Sequence, residues 1–183
     1  MKTQKMVLSA FFLALALALP FLTGQIPQVG SMLTPMHFPV LLCGFMCGWP
    51  AGLAVGFVAP LLRFMLFGMP PIFPTGIAMA FELAAYGAVS GLMFGKVRHN
   101  LPMIYATLIS SMVAGRLVWG VVRFILARLF NMAFPFSVFL SGAFITALPG
   151  IVCQLILIPV ILTAVARRNV LPLNNGNKKD WVR

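Results

Sequence analysis

Apolar residues run along this chain in long blocks, separated by short connections that are rich in glycine and proline or in basic residues. The blocks are unbroken for roughly 17 to 25 residues, which is the length that an α-helix needs to cross a hydrocarbon core about 30 Å thick. Strands of a membrane barrel would instead alternate polar and apolar positions over about ten residues. The pattern predicts six helical spans, at residues 6–23, 37–49, 51–67, 77–94, 101–128 and 137–166, the last of them broken near Pro149 and Gly150.

Composition supports the same class of protein. The 183 residues are 61% hydrophobic and only 8% charged, whereas globular domains are about half apolar and about a quarter charged. We therefore expect an all-α integral membrane protein with six transmembrane helices in one bundle over residues 1–166. Residues 167–183 are predicted to form a polar cytoplasmic tail.

The net charge of +11 comes from cations that cluster at the ends of the predicted spans. They are Lys2 and Lys5 before the first span, Lys96, Arg98 and His99 in one loop, and Arg167, Arg168, Lys178, Lys179 and Arg183 after the last span. Cytoplasmic loops of membrane proteins carry such excesses, so both termini are predicted to be cytoplasmic. No soluble segment is long enough to present a basic face to nucleic acid.

Two oppositely charged residues lie within the apolar segments of residues 63–86. Glu82 is one of only two acidic residues in the chain, and Arg63 precedes it across a loop with three prolines. A charged group at membrane depth costs at least a few kcal/mol, so both side chains are expected to face a partner or a polar cavity. They either mark a functional site or simply tie two helices together.

Polar and aromatic residues recur at helical spacing on the fourth and fifth spans. Glu82 and Tyr86 share one face, and Arg116, Trp119 and Arg123 share another, because offsets of three, four and seven residues return to nearly the same angle. Most of these groups fall in the outer half of the bundle and predict a pocket open to the outside. The predicted substrate-binding residues are Arg63, Glu82, Tyr86, Arg116, Trp119, Arg123 and His37.

The charges in this pocket predict the kind of ligand. Arginine stays protonated and offers a planar fork to carboxylate or phosphate, and three arginines face a single glutamate. The simplest ligand is an anion or a polar molecule with a carboxylate. Glu82 either neutralises one arginine or accepts N–H groups from a nitrogen heterocycle. Arg128 points elsewhere on the fifth span, where it either joins the site or reaches the headgroups.

Several other classes of function find little support. Glu82 has no acidic companion and the two histidines are predicted on opposite sides, so no acid–base pair or metal cluster supports an enzyme, a cofactor or a metal site. Cys43 and Cys47 lie in an apolar run and are expected to be buried small residues. A channel would need rings of charge or a repeated filter. A self-contained ion-coupled transporter with Glu82 as carrier stays as the alternative.

Small and flexible segments suggest contact surfaces. Ala10, Ala14 and Ala18 form a stripe at four-residue spacing on the first span, which either admits a partner helix or packs inside the bundle. The uncharged outer connections at residues 24–36 and 68–76 either gate a ligand or merely cover the bundle. The candidate gating residues in them are Gln25, Gln28, Ser31, Met69, Phe73 and Thr75.

Taken together, the chain resembles the substrate-binding S component of energy-coupling factor (ECF) vitamin transporters. The matching features are the opening KMVLSA at residues 5–10, the alanine stripe, the block PMHFPVLLCGFMCGWPAGLAVGFVAPLLR at residues 35–63 and the segment FGMPPIFPTGIAMAFELAAYG at residues 67–87. The resemblance covers nearly the whole chain. It implies a multi-pass protein of the bacterial plasma membrane that is not an enzyme.

The resemblance also implies partners and a mode of action. In that family the alanines of the first span meet a membrane coupling subunit, which is joined to two cytoplasmic ATPases, and the S component captures a micronutrient with its external loops and later topples to release it. Carried over, Ala10, Ala14 and Ala18 would be the docking face. The substrate would be a carboxylate-bearing compound such as pantothenate, which suits the arginine excess, or a deazapurine such as queuine, which would use Glu82.

Overall fold

The structure of the protein is a computed structural model that describes residues 2–22, 32–95, 101–131, 135, 141 and 146–168. Six α-helices of 11 to 29 residues form the described part of the chain. They are α1 (Lys2–Leu22), α2 (His37–Cys47), α3 (Trp49–Phe67), α4 (Ile77–Phe94), α5 (Leu101–Leu129) and α6 (Leu148–Arg168). A short kinked segment, Ile72–Gly76, in which Phe73 has a non-helical backbone, precedes α4.

Five of the helices are long and apolar enough to cross a membrane, and α2 is a shorter apolar helix. The exposed surface is itself apolar, with Met6, Met65 and Leu129 each about 70% exposed or more, as expected for side chains that face lipid. The prediction of an all-α integral membrane protein is therefore confirmed. The cytoplasmic placement of the termini and the boundary at residue 166 stay predictions.

Helix boundaries differ from the expected ones at two places. The second and third spans, expected at residues 37–49 and 51–67, are separated at Gly48, whose φ of 97° suits glycine, and α3 already begins at Trp49 with Pro50 in its first turn. Likewise, α6 begins at Leu148, directly after a turn at residues 146–147, and runs through Pro149 and Gly150, so the break expected near those two residues lies just before them. Proline is tolerated in a first turn because that N–H has no intrahelical partner.

Helix α2 lies at the centre of the bundle. Every residue from Pro39 to Cys47 is buried, as in a helix that is apolar on all sides. Eleven residues rise about 16 Å, roughly half the thickness of a hydrocarbon core. The first residue of α2, His37, therefore lies inside the bundle with 3% of its surface exposed.

Glycines bring α3 and α4 into backbone contact. Gly52 and Gly56 on α3 face Gly87 and Leu83 on α4, and a Cβ added at any of the three glycines would overlap the backbone of the other helix. Small residues at four-residue spacing let membrane helices approach closely, because van der Waals packing drives their association in lipid. This contact fixes the height of α4, and with it the height of Glu82.

We expect Gly56→Val to destabilise the bundle by about 1–3 kcal/mol or more, because the added carbons meet the backbone of Leu83 and Ala84. Ala54→Val is the matched control on the exposed side of the same helix, with an expected change within about 0.5 kcal/mol. Thermal unfolding in detergent measures both. Equal melting temperatures for the two variants would contradict the packing described above.

Candidate functional site

A buried ion pair joins α4 to α5. Arg116 Nη1 lies 2.8 Å from Glu82 Oε1, and the two side chains are 9% and 2% exposed. Glu82 is in the second turn of α4, and Arg116 lies near the middle of α5. Charge-assisted contacts of this length are among the stronger polar interactions in proteins, so the pair fixes these helices against each other.

Two aromatic side chains complete what we call the polar cluster, namely Glu82, Arg116, His37 and Tyr86. His37 Nε2 lies 3.4 Å from Glu82 Oε1, and the His37 ring meets the Tyr86 ring edge-on at 5.0 Å between centroids. Tyr86 is one helical turn after Glu82 and is 1% exposed. The cluster thus draws on α2, α4 and α5.

A glycine makes room for this arrangement. A Cβ at Gly115 would overlap the ring of Tyr86, so the absence of a side chain there lets α5 approach α4 closely. Arg116 is the next residue along α5, and its guanidinium needs that close approach to reach Glu82. The sequence signal for this contact is a lone glycine directly before an intramembrane arginine.

The polar cluster keeps unused hydrogen-bonding capacity. Among the described residues, His37 Nδ1 and Arg116 Nε are buried and have no hydrogen-bond partner, and the contacts of Glu82 Oε1 with Arg116 and His37 lack hydrogen-bond geometry. A buried polar atom left unpaired costs about 1–3 kcal/mol. The polar cluster is therefore the candidate ligand-binding site.

Arg63 takes a different position from the predicted one. Its Nη1 donates a 2.6 Å hydrogen bond to the carbonyl oxygen of Leu17 on α1, and its guanidinium carbon lies 5.1 Å and 5.5 Å from the ring centroids of Phe21 and Phe67. These contacts match the alternative in which Arg63 ties two helices together, here α1 and α3. Arg63 is satisfied by a carbonyl and two aromatic faces instead, which suits a cation in a low-dielectric interior.

Trp119 and Arg123 continue the face of α5 that carries Arg116. Both are partly buried, and the guanidinium carbon of Arg123 lies 5.7 Å from the Trp119 ring centroid. They lie one and two turns closer than Arg116 to the C-terminal end of α5. Arg128 is exposed and packs over Phe124, and its contact with the headgroups stays a prediction.

The loop before α4 is attached to the end of α5. Phe73 is partly buried and meets Phe130 edge-on at 4.5 Å between ring centroids. Met69 is exposed and Thr75 is partly buried. Gln25, Gln28 and Ser31 lie outside the described residues, so only the second predicted gate has a described geometry.

The alanine stripe of α1 faces away from the bundle. Ala10, Ala14 and Ala18 are all exposed, whereas Phe12 and Ala16 are buried on the opposite side. Within the described part of the chain, the stripe therefore does not serve internal packing. It is a smooth outward-facing strip on a membrane helix.

A further polar contact joins α6 to the residues just before α2, and it was not predicted from the sequence. Gln154 on α6 donates a 2.8 Å hydrogen bond from Nε2 to Thr34 Oγ1, and the Thr34 carbonyl accepts a 3.0 Å bond from the backbone N–H of His37. The sequence signal for this contact is the presence of a glutamine, Gln154, in the apolar middle of the sixth predicted span. No group of three His, Cys, Asp or Glu side chains among the described residues is placed to hold a metal ion.

We expect Glu82→Gln to destabilise the protein by about 3–5 kcal/mol, because it leaves the Arg116 guanidinium buried without its counter-charge. The double variant Glu82→Gln with Arg116→Met should recover part of that loss, since the uncompensated charge is gone. Thermal unfolding in detergent measures both, with the exposed Arg128→Gln as a control. A loss of stability in Glu82→Gln as small as that in Arg128→Gln would show that the ion pair does not stabilise the protein.

Comparison with known proteins assigns the chain to a family. The model of the family described as "ECF transporter, substrate-specific component" matches residues 4–162. A search of curated proteins and a search of solved structures each returned no match. The family match extends over α1 to α5 and most of α6, and it includes every residue of the polar cluster. The chain belongs to the substrate-specific components of ECF transporters, and is thus a multi-pass membrane protein that binds the substrate of such a transporter.

Proposed function

We propose that this substrate-specific component captures a carboxylate-bearing water-soluble micronutrient, such as pantothenate, from the outside of the cell. The polar cluster and the adjoining face of α5 supply the binding groups. The compound then passes through a complex with a membrane coupling subunit and two cytoplasmic ATPases. The proposed orientation places the ends of α1, α3 and α5 that carry Leu22, Phe67 and Leu129 outside, following the distribution of basic residues.

The observation that carries the choice of substrate is the pairing of Glu82 with Arg116. Glu82 is the only acidic residue in the predicted spans, and its carboxylate is engaged at 2.8 Å. Arg123 lies on the same face of α5 as Arg116, and its guanidinium has the charge and the planar shape that a carboxylate ligand would bind. A deazapurine such as queuine would have to compete with Arg116 for Glu82, so it ranks second.

The same pairing weighs against an ion-coupled secondary transporter. Such a mechanism would need Glu82 to take up and release a proton or a sodium ion. Arg116 Nη1 lies 2.8 Å from one oxygen of that carboxylate, so an incoming cation would have to displace the arginine. The ECF mechanism asks for no such exchange, since the ATPases supply the energy.

The test of the substrate proposal is mass spectrometry of the small molecule that co-purifies from native membranes, followed by calorimetric titration of the compound it identifies. We expect Arg123→Gln to weaken a carboxylate ligand by more than tenfold, because a charge-assisted contact in a desolvated site is lost. Arg128→Gln, on the exposed side of α5, is the control. Equal affinity of the two variants for the ligand would count against Arg123 as its anchor, and a co-purifying deazapurine would favour the second substrate.

We expect Ala14→Trp to abolish both uptake and co-purification with the coupling subunit while ligand binding is retained. The indole would hold a partner helix away from the exposed alanine strip. Leu117→Trp is the matched control, since Leu117 is a 59% exposed position on α5. Loss of ligand binding in Ala14→Trp, or loss of the complex in Leu117→Trp, would contradict a docking face on α1.

A further inference from the structure

Gln154 lies in the second turn of α6 and is 1% exposed. Its amide nitrogen is used in the bond to Thr34 Oγ1, whereas its amide oxygen, Oε1, is buried and has no hydrogen-bond partner among the described residues. A carbonyl oxygen without a donor is costly in a membrane interior, where no bulk water can replace the missing bond. The bond to Thr34 fixes the orientation of the amide, so the oxygen is held in place rather than free to turn.

The surroundings hold this amide closely. One helical turn before it, Gly150 packs against Thr34 and the carbonyl of Met32 so tightly that an added Cβ would overlap both. Thr34 has a φ of 45°, a left-handed conformation that a β-branched residue adopts only where its neighbours enforce it. Contacts on both sides of Thr34 therefore define where the amide of Gln154 lies.

Gln154 is joined to the polar cluster by consecutive contacts. The Gln154 amide bonds to Thr34, the Thr34 carbonyl accepts the backbone N–H of His37, and the His37 ring lies against Glu82. Gln154 Oε1 and His37 Nδ1 are both buried without a hydrogen-bond partner among the described residues, and Thr34, three residues before His37, contacts both residues.

We propose that Gln154 is a substrate-specificity residue whose Oε1 accepts a hydrogen bond from an amide N–H or hydroxyl group of the transported compound. This inference rests on the proposed function, and it narrows the substrate class to carboxylates that also carry such a donor at some distance from the carboxylate. The carboxylate end is bound on the Arg123 side of the cluster and the donor end on the α6 side.

The experiment compares Gln154→Met with Thr34→Val by calorimetric titration in detergent. The probes are pantothenate, biotin, thiamine, riboflavin and queuine. The probe that the wild-type protein binds most tightly is the selected ligand for the variants. Methionine keeps the length of glutamine but has no amide oxygen, whereas Thr34→Val removes only the bond within the protein. We expect Gln154→Met to weaken the selected ligand by at least about tenfold, since a buried donor of the ligand is left unpaired. Thr34→Val should weaken it several-fold less, because the amide loses the bond that orients it but keeps Oε1.

Thermal unfolding of the ligand-free variants separates a binding role from a purely structural one. Equal losses of affinity and of melting temperature in Gln154→Met and Thr34→Val would mean that Gln154 only positions Thr34, and would overturn the inference. Should Gln154→Met not fold, Gln154→Asn, which keeps the amide but withdraws it by one methylene, is expected to show the same loss of affinity. Unchanged affinity in a folded variant refutes the role of Gln154 alone, while a wild-type protein that selects a probe without a carboxylate refutes the proposed substrate class together with it. If none of the five probes binds, the compound that co-purifies with the protein is titrated in their place.

Discussion

The ion pair between Glu82 and Arg116 is the interaction on which the organisation of this bundle depends. The predicted spans contain one acidic residue and several arginines, and a buried cation must find compensation. Glu82 can neutralise only one of them, and it does so for Arg116. Every other arginine in the helices then needs a different solution.

Those solutions divide the arginines by role. Arg63 binds a carbonyl of α1 and two aromatic rings, which ties the first helix to the third. Arg128 is exposed at the end of α5. Arg123 is partly buried, and its guanidinium lies over Trp119. Arg63 therefore joins two helices, and Arg128 lies at the surface. Arg123 lies two turns along α5 from Arg116, and the proposed function assigns it to the carboxylate of the ligand.

Close backbone contacts between helices allow the polar side chains to reach these partners. Glycines between α3 and α4, and Gly115 against Tyr86, remove side chains at the points where the polar cluster requires contact. Because α2 is short, its first residue, His37, lies inside the bundle beside Glu82. The exposed alanine strip of α1 lies outside this core, and Arg63 connects it to α3, so the surface proposed for docking and the proposed site share one rigid framework.

The sequence by itself determined the class of protein, the family and most of the helix bounds, because long apolar blocks have few alternatives in a membrane and the family pattern runs through nearly the whole chain. It also identified the intramembrane polar residues, since each is conspicuous in an apolar run. It did not determine their partners. The positions of Arg63, of Gln154 against Thr34 and of Glu82 against Arg116 rather than Arg63 depend on helix rotation and relative height, which backbone contacts between distant glycines set. Small residues at four-residue spacing mark a close helix contact, but the spacing does not say which distant helix is the partner, so only the tertiary structure decided these contacts.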